Sequence, residues 1–330
     1  MIERKEEKMC KKIFSFLMCT ALASGLVSCT EQGSPEQSDE RISVVTTIFP
    51  QYDFVRQIAG DNVSLTMLLK PGSESHTYEP TPQDIVKIQE CDLFIYNGGE
   101  GDMWVDTILE SVKKPVNTIK LMECVDTVEE EIIEGMQHEH EEHEEHEEHE
   151  KNDLDEHVWT SPKNALEIVS VISEQLCLID TKNAELYKKN TEAYIGELSQ
   201  LDKRFEEIVE KSDTDTMIFG DRFPMRYFAD AYALDYYAAF PGCSSDSEPS
   251  ASTLAFLIDK VKSENIPVVF TIEFSNGKIA ETISEATDAQ ILEFHSCHNV
   301  TSDEMKNSET YISLMNKNAD NLEKALCTID

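Results

Sequence analysis

Apolar and polar residues follow two patterns along the chain, short β-branched runs and longer amphipathic stretches. The short runs are rich in Val, Ile, Thr and aromatic residues, a pattern that predicts buried β-strands. Eight such strands are predicted, at residues 42–48, 63–69, 92–96, 116–121, 216–219, 236–240, 268–272 and 290–294. Amphipathic stretches separate most of them. This β-then-α order, met twice along the chain, predicts two parallel-sheet α/β lobes.

Helices are predicted where a capping residue precedes apolar positions spaced three and four apart. Ser161-Pro162, for example, is a good N-cap and first-turn pair. The predicted helices lie at residues 50–59, from 81 onward, at 104–109, 161–177, 181–211, 225–232, 253–262, 278–286 and 309–325.

The helix predicted between the two halves is unusually long. Its apolar residues form one stripe that faces protein: Tyr187, Tyr194, Ile195, Leu198, Leu201, Phe205 and Ile208. At 1.5 Å per residue it would be roughly 45 Å long, which suits a helix that crosses between lobes. The predicted domains are therefore a first lobe at residues 41–180, a linker helix at 181–212 and a second lobe at 213–330. Ligands of parallel sheets bind beyond the carboxyl ends of strands, which indicates a site in the cleft between the lobes.

The first forty residues follow a different pattern from the body. Five basic residues precede an apolar run at residues 13–27, which is short for a membrane span but typical of a secretory signal. The sequence Leu26-Val27-Ser28-Cys29 resembles the bacterial lipobox, in which the cysteine becomes the acylated first mature residue. We expect a lipoprotein signal peptide at residues 1–28, lipidation at Cys29, and a flexible tether over residues 29–40. An ordinary cleaved signal is the alternative.

The charge balance is strongly acidic. The 330 residues carry 28 basic and 65 acidic side chains, a formal net charge of −37. Little positive charge is available to neutralise phosphates, which argues against a nucleic-acid partner and favours a cation.

Five of the nine histidines lie in one thirteen-residue run, HEHEEHEEHEEHE, within an acidic loop at residues 129–152. They are His138, His140, His143, His146 and His149. The run has no apolar residue and cannot form a core, but imidazole and carboxylate groups bind divalent metals. Because it lies beside the predicted cleft, we expect a disordered accessory loop that loads or senses metal. A merely solvated acidic segment remains the alternative.

The other histidines, His76, His157, His295 and His298, all fall at strand ends or on inter-element loops of the two halves. Each alone would more often be structural. Together, in places where ligand sites form, they indicate a metal site.

Several blocks of the chain resemble one family, the metal-specific solute-binding proteins of bacterial ABC importers, and its zinc-uptake branch in particular. The blocks are VVTTIFPQYDFVRQIAGD, PGSESHTYEPTPQDI, DLFIYNGGEGDMW, DEHVWTSPKNA and TYISLMNKNADNL, with a His-rich insertion before DEHVW. The resemblance implies two α/β lobes joined by a rigid helix, with metal in the interlobe cleft. It places metal ligands at His76 and His157.

The third and fourth ligands that the resemblance implies match less cleanly. The family's histidine or glutamate is missing from FGDRFPMRYFADAY, where Asp221 is the nearest candidate. The fourth position falls on His295, and His298 and Glu273 are further candidates. Nitrogen and oxygen donors of this kind suit Zn²⁺, whereas an oxygen-dominated set would favour Mn²⁺, with Fe²⁺ a further possibility.

The cysteines beyond Cys29 have no C-x-x-C spacing, which argues against a thiolate zinc finger. Cys243 and Cys297 each follow a predicted strand of the second half, and an exported chain permits a disulfide between them. A bridge would hold His295 and His298 in place. Cys297 as a thiolate ligand is an alternative. The others are expected to be small core residues.

Three functions compete at this point. The resemblance implies the binding component of an ABC importer, a monomer that captures extracellular Zn²⁺ and delivers it to a cognate permease and ATPase. It would be exported and lipid-anchored at the outer face of the cell membrane, or periplasmic. A surface zinc store or adhesin is the second function. A zinc hydrolase is the third, but the chain has no H-E-x-x-H helix motif.

Overall fold

A computed structural model describes residues 41–73, 78–112, 114–136, 154–244 and 248–327. The predicted signal peptide, tether and His/Glu run lie outside this part of the chain, as does His76. Among the residues that are described, none forms a helix with the length and apolar character of a membrane span.

The first lobe is built on a four-stranded parallel sheet. Its strands are β1 (Ile42–Thr46), β2 (Val63–Met67), β3 (Leu93–Tyr96) and β4 (Thr118–Lys120). The spatial order is β2-β1-β3-β4, with every pair parallel. All four residues of β3 are buried, as expected for a central strand covered on both faces.

The second lobe repeats this plan with β5 (Thr216–Phe223), β6 (Asp235–Pro241), β7 (Val268–Thr271) and β8 (Gln290–Glu293). Its order is β6-β5-β7-β8, again all parallel. Each lobe therefore has the same strand order, and the predicted fold of two parallel-sheet α/β lobes is confirmed.

Ten α-helices lie within the described residues: α1 (Phe49–Ala59), α2 (Pro82–Glu90), α3 (Met103–Ser111), α4 (Pro162–Ile179), α5 (Ala184–Glu210), α6 (Arg226–Tyr232), α7 (Ala251–Glu264), α8 (Lys278–Thr287), α9 (Ser302–Lys306) and α10 (Tyr311–Leu326). The sequence prediction omitted α9. Its start carries a capping box, in which Thr301 and Glu304 each satisfy a backbone N–H of the other. That local signal was available in the sequence.

Helix α5 connects the two lobes. Near its beginning, Asn190 donates a hydrogen bond to the Ile58 carbonyl of α1, at 2.9 Å. Towards its end, the hydroxyl of Tyr232 on α6 donates to Asp202, at 2.8 Å. Buried side chains of α5 also belong to one continuous apolar core that includes Val44 of the first sheet and Phe219 of the second. A core shared in this way favours a stiff connection between the lobes.

The two lobes also meet through loops that follow their strands. In the loop after β8, Asn299 donates to the carbonyls of Lys70 and Ser73 in the loop after β2, both at 2.8 Å. Nearby, the backbone N–H of Gly72 donates to the carbonyl of Val300, at 2.8 Å. These bonds bring the carboxyl-end loops of both sheets together, which is where parallel sheets place their ligand sites.

Candidate metal centre

A small cavity opens between the loops at the carboxyl ends of the two sheets. Both lobes line it, with Ser73 and His157 from the first and Arg222, Pro224, Gly242, Ile272, Glu273, Phe274, Ser296, His298 and Asn299 from the second. An adjoining cavity is lined by Tyr78, Glu156 and His298 among others. Since His298 borders both spaces, it stands at the centre of the cleft.

Asp155 fixes the orientation of the His157 ring. Its Nδ1 lies 3.1 Å from Asp155 Oδ1, which also accepts the His157 backbone N–H at 2.8 Å. A carboxylate accepts only, so Nδ1 carries the proton and Nε2 of the neutral ring carries a lone pair. A carboxylate behind the imidazole is the usual support for a metal-binding histidine.

Electrostatics around His157 favour a positive charge. The side chain is 0% exposed, and burial alone would lower its pKa. The carboxylate of Asp155, followed by those of Glu156 and Glu130, outweighs burial and raises the pKa of His157 above its usual value. The same field attracts a divalent cation to this place.

Glu156 and Cys243 complete a compact group with His157. One donor atom from each of the three lies within 4.8 Å of the other two. The carboxylate of Glu156 accepts the Gly101 backbone N–H at 3.0 Å, and its pKa is raised by burial. Burial likewise raises the pKa of the Cys243 thiol. Sequence reasoning missed Glu156 altogether and gave Cys243 a different role.

His298 reaches the same place from the second lobe. Its ring centroid lies 5.8 Å from that of His157 and 4.8 Å from that of Trp159. Its backbone N–H donates towards Glu273 Oε1 at 3.3 Å, and the Phe49 N–H donates to its carbonyl at 3.3 Å. The structure thus brings His157 and His298 together across the cleft.

His295 lies elsewhere, although it is equally buried. Its Nδ1 accepts the Cys297 backbone N–H at 2.9 Å, so in the neutral ring Nε2 must carry the proton. Nε2 lies 3.8 Å from Glu304 Oε1 on α9. Since Nδ1 is occupied by the Cys297 N–H and the side chain lies outside the lining of the two cavities, His295 is not brought to the cluster.

Asp221 and Glu273 serve the loops around the cleft. Asp221 Oδ1 accepts the Arg222 backbone N–H at 2.8 Å, and burial raises its pKa. Asp221 does not line the cavity, whereas its neighbour Arg222 does. Glu273 lines the cavity, but its two oxygens accept hydrogen bonds from the backbone N–H and hydroxyl of Ser296 as well as from His298. It shapes the loop that carries His298.

The predicted disulfide is absent from the structure, where Cys243 and Cys297 are both free thiols. Cys297 is fully buried, with Sγ 3.9 Å from the His295 carbonyl, while Cys243 lies beside His157. Of the other predicted site residues, His76, Cys29 and the histidines of the run, His138, His140, His143, His146 and His149, lie outside the described residues.

Comparisons with known proteins agree with this architecture. The high-affinity zinc uptake system protein ZnuA of Bacillus subtilis is 33% identical over 318 residues, 95% of this chain and 97% of that protein. The zinc-binding lipoprotein AdcA of Streptococcus pneumoniae is 33% identical over 309 residues, and the match spans only 60% of its length. The crystal structure of the Zn(II)-bound ZnuA-like domain of AdcA is 30% identical, with a TM-score of 0.71, over 87% of this chain and 100% of that one.

A family model matches almost the whole of the described body. It is described as "ZnuA: Zinc-uptake complex component A periplasmic" and covers residues 44–325. Apart from the first two residues of β1, both sheets fall within that match, as do the long helix α5 and the loops around the cleft. The chain belongs to the ZnuA family of zinc-uptake components.

Proposed function

We propose that this protein is the extracytoplasmic binding component of an ABC importer, which captures Zn²⁺ in the interlobe cleft and delivers it to a membrane permease. Membership of the zinc-uptake family supports this function. So do relatives that are named for zinc uptake and zinc binding.

The observation that carries the proposal is the pair His157 and His298. His157 is supported by Asp155 so that its Nε2 lone pair is available, and His298 approaches it from the other lobe. A cation held by one residue from each lobe would link the lobes, and moving the lobes apart would release it. Binding of this kind suits capture and delivery.

His76 is proposed as a further ligand. It lies outside the described residues, but the chain on both sides of it borders the cleft, with Ser73 lining one cavity and Tyr78 the other. Asn299, next to His298, bonds to the Ser73 carbonyl. We therefore propose that His76 binds the same cation as His157.

Zinc is the proposed cargo because the donors are imidazoles. Zn²⁺ binds neutral imidazole nitrogen in tetrahedral sites, whereas Mn²⁺ prefers oxygen-rich sites. The His/Glu run of residues 138–150 is proposed to collect cations beside the cleft and to pass them on to it. Five imidazoles among glutamates offer weak, exchangeable sites.

The proposal extends to partners and location. We propose a monomer that works with a cognate permease and ATPase, and that Cys29 is acylated and tethers the protein to the outer face of a membrane. The sequence before Cys29 has the composition of a signal peptide. Metabolic labelling with a fatty acid tests the anchor, since Cys29→Ser should abolish incorporation.

The central test is a zinc titration against a competing chelator. We expect one tight equivalent in the wild-type chain, weakened about 100-fold or more in His157→Ala because the cation loses an oriented ligand. Deletion of residues 138–150 should leave that tight equivalent in place and slow loading only at low zinc. Circular dichroism checks that each variant is folded.

The deletion also distinguishes the importer hypothesis from the hypothesis of a surface zinc store. If removing the run abolished tight binding while His157→Ala retained it, the run would be the working part and the store hypothesis would replace this one.

A further inference from the structure

The second lobe offers a thiol where the family resemblance led us to expect another kind of ligand. The segment FGDRFPMRYFADAY has no histidine. Its Asp221 bonds to the adjacent backbone, and its Arg222 is a cation, which cannot bind a metal. The loop after β6 instead places Cys243 in the group formed with Glu156 and His157.

The distances within that group fit a metal site that is nearly assembled. The three donor atoms lie within 4.8 Å of one another. In a tetrahedral zinc site with Zn–N of about 2.0 Å and Zn–S of about 2.3 Å, neighbouring donors lie roughly 3.5 Å apart. A contraction of about 1 Å, within the reach of side-chain rotation, would close the group around a cation.

The turn that carries Cys243 is packed directly on the imidazole of His157. A Cβ atom on Gly242 would lie 3.0 Å from His157 Cε1 and 3.0 Å from the Phe223 carbonyl oxygen. Because a glycine occupies this position, the turn can approach the ring closely. The close approach sets Cys243 beside His157.

Two charged side chains hold the same turn in place. Glu130 Oε1 accepts the Cys243 backbone N–H at 3.3 Å. Arg222 donates from its guanidinium to the Ser244 carbonyl at 3.4 Å. Arg222 thus supports the turn from the segment in which the resemblance led us to expect a ligand.

We propose that Cys243 binds the captured cation as a thiolate, so that the second lobe contributes sulfur as well as the His298 imidazole. The inference rests on the proposed zinc-binding function and names one ligand of the same site. On binding, an S–metal bond forms, the S–H bond breaks and the proton leaves to solvent. The thiolate makes the site softer, and it favours Zn²⁺ and Cd²⁺ over Mn²⁺.

The test uses Co²⁺ as a spectroscopic substitute for Zn²⁺ in the reduced chain. We expect a thiolate-to-cobalt charge-transfer band in the near ultraviolet for the wild type. Cys243→Ser should lose this band and bind zinc at least about tenfold more weakly, because a hydroxyl is a poor substitute for a thiolate. Cys177→Ser, also a partly buried cysteine but near the C-terminal end of α4, where its thiol donates to the Ala184 carbonyl, is the matched control and should keep the band and the affinity.

The outcomes separate this assignment from the function on which it rests. Tight zinc binding without a thiolate band in the wild type, or a band that persists in folded Cys243→Ser, would overturn the assignment of Cys243 alone. A wild-type chain that binds neither zinc nor cobalt would contradict the importer function and this assignment together.

Discussion

Two segments of the molecule present a buried histidine beside acidic groups, yet their chemistry differs. Asp155–Trp159 in the first lobe contains His157, and the loop of residues 295–299 in the second contains His295. Both side chains are nearly inaccessible, at 0% and 2% exposure. By burial and by neighbouring charge alone the two could not be told apart.

The hydrogen bond at Nδ1 separates them. At His157 a carboxylate accepts from Nδ1, which leaves the lone pair on Nε2. At His295 a backbone N–H donates to Nδ1, which places the proton on Nε2, towards Glu304. Only the first tautomer can bind a metal through Nε2. In this comparison the hydrogen-bond partner of Nδ1, and not burial or neighbouring charge, distinguishes the two histidines.

The largest expected effect on zinc affinity comes from replacing, one at a time, the two histidines of the loop at residues 295–299. His298→Gln should weaken zinc binding about 100-fold, because it removes the imidazole that faces His157. His295→Gln should change zinc affinity less than about threefold but lower the free energy of unfolding by about 1–3 kcal/mol. The ring nitrogens of His295 lie 3.7 Å from Glu273 Oε2 and 3.8 Å from Glu304 Oε1, so both carboxylates lose a buried partner. Chelator competition and denaturant unfolding of the metal-free chain measure the two quantities.

Each of these variants is the control for the other. The assignment of the cleft histidine would be reversed if His295→Gln lost zinc affinity while His298→Gln kept it.

There is a physical reason why the sequence predicted His295, and not His298, as the fourth metal ligand. The fold was predictable because strand runs and helix caps are local signals, and the predicted strands agree with β1 to β8 within a few residues. In contrast, neighbouring residues in the sequence do not determine where a side chain points in the loop after a strand. Cys297 has φ of +60°, a left-handed conformation that is uncommon for cysteine. No Gly or Asn marks this turn, which changes the path of the chain between His295 and His298.

The remaining site residues depend on contacts between distant parts of the chain. Glu156 and Cys243 are 87 positions apart in sequence, and the strand order of the second lobe with the glycine turn at Gly242 brings them together. The segments DEHVW and PGCSS each show a possible ligand in the sequence, but the sequence does not show that the two segments lie close together in the fold. When that contact is not known, two loop cysteines in an exported chain predict a disulfide, because disulfides form in the oxidising environment outside the cytoplasm.

A smaller effect is expected from the residue that fixes the tautomer of His157. Asp155→Asn keeps a similar shape but removes the charge that holds Nδ1–H, and metal affinity should fall about tenfold, the lower end of the range for supporting residues. Asp106→Asn, an exposed change on α3, is the matched control and should leave affinity unchanged. Zinc competition titrations of both variants decide the point. An Asp155→Asn chain with wild-type affinity would show that the tautomer needs no carboxylate.

The smallest expected effect is on the free energy of unfolding and comes from Glu304, the carboxylate beside His295. The imidazole of His295, with further hydrogen bonds from Thr301, lowers the pKa of Glu304 to about 2. Its unfolded value is about 4.3, so the ionised group contributes stability that is present above that pH and is lost as pH falls towards 2. Glu304 is partly exposed, and solvent screening reduces the contribution to about 1 kcal/mol.

Glu304→Gln should therefore lower the free energy of unfolding at pH 7 by about that amount and flatten its decline between pH 4.5 and 3. Urea unfolding of the metal-free chain across this range measures both. Asp303→Asn, an exposed carboxylate on the same helix α9, is the control and should follow the wild-type pH profile. If Glu304→Gln also followed that profile, the pairing of His295 with α9 would contribute nothing to stability. The structural role of the His295 segment would then depend on Asn318, whose side chain bonds to the backbone N–H and carbonyl of His295.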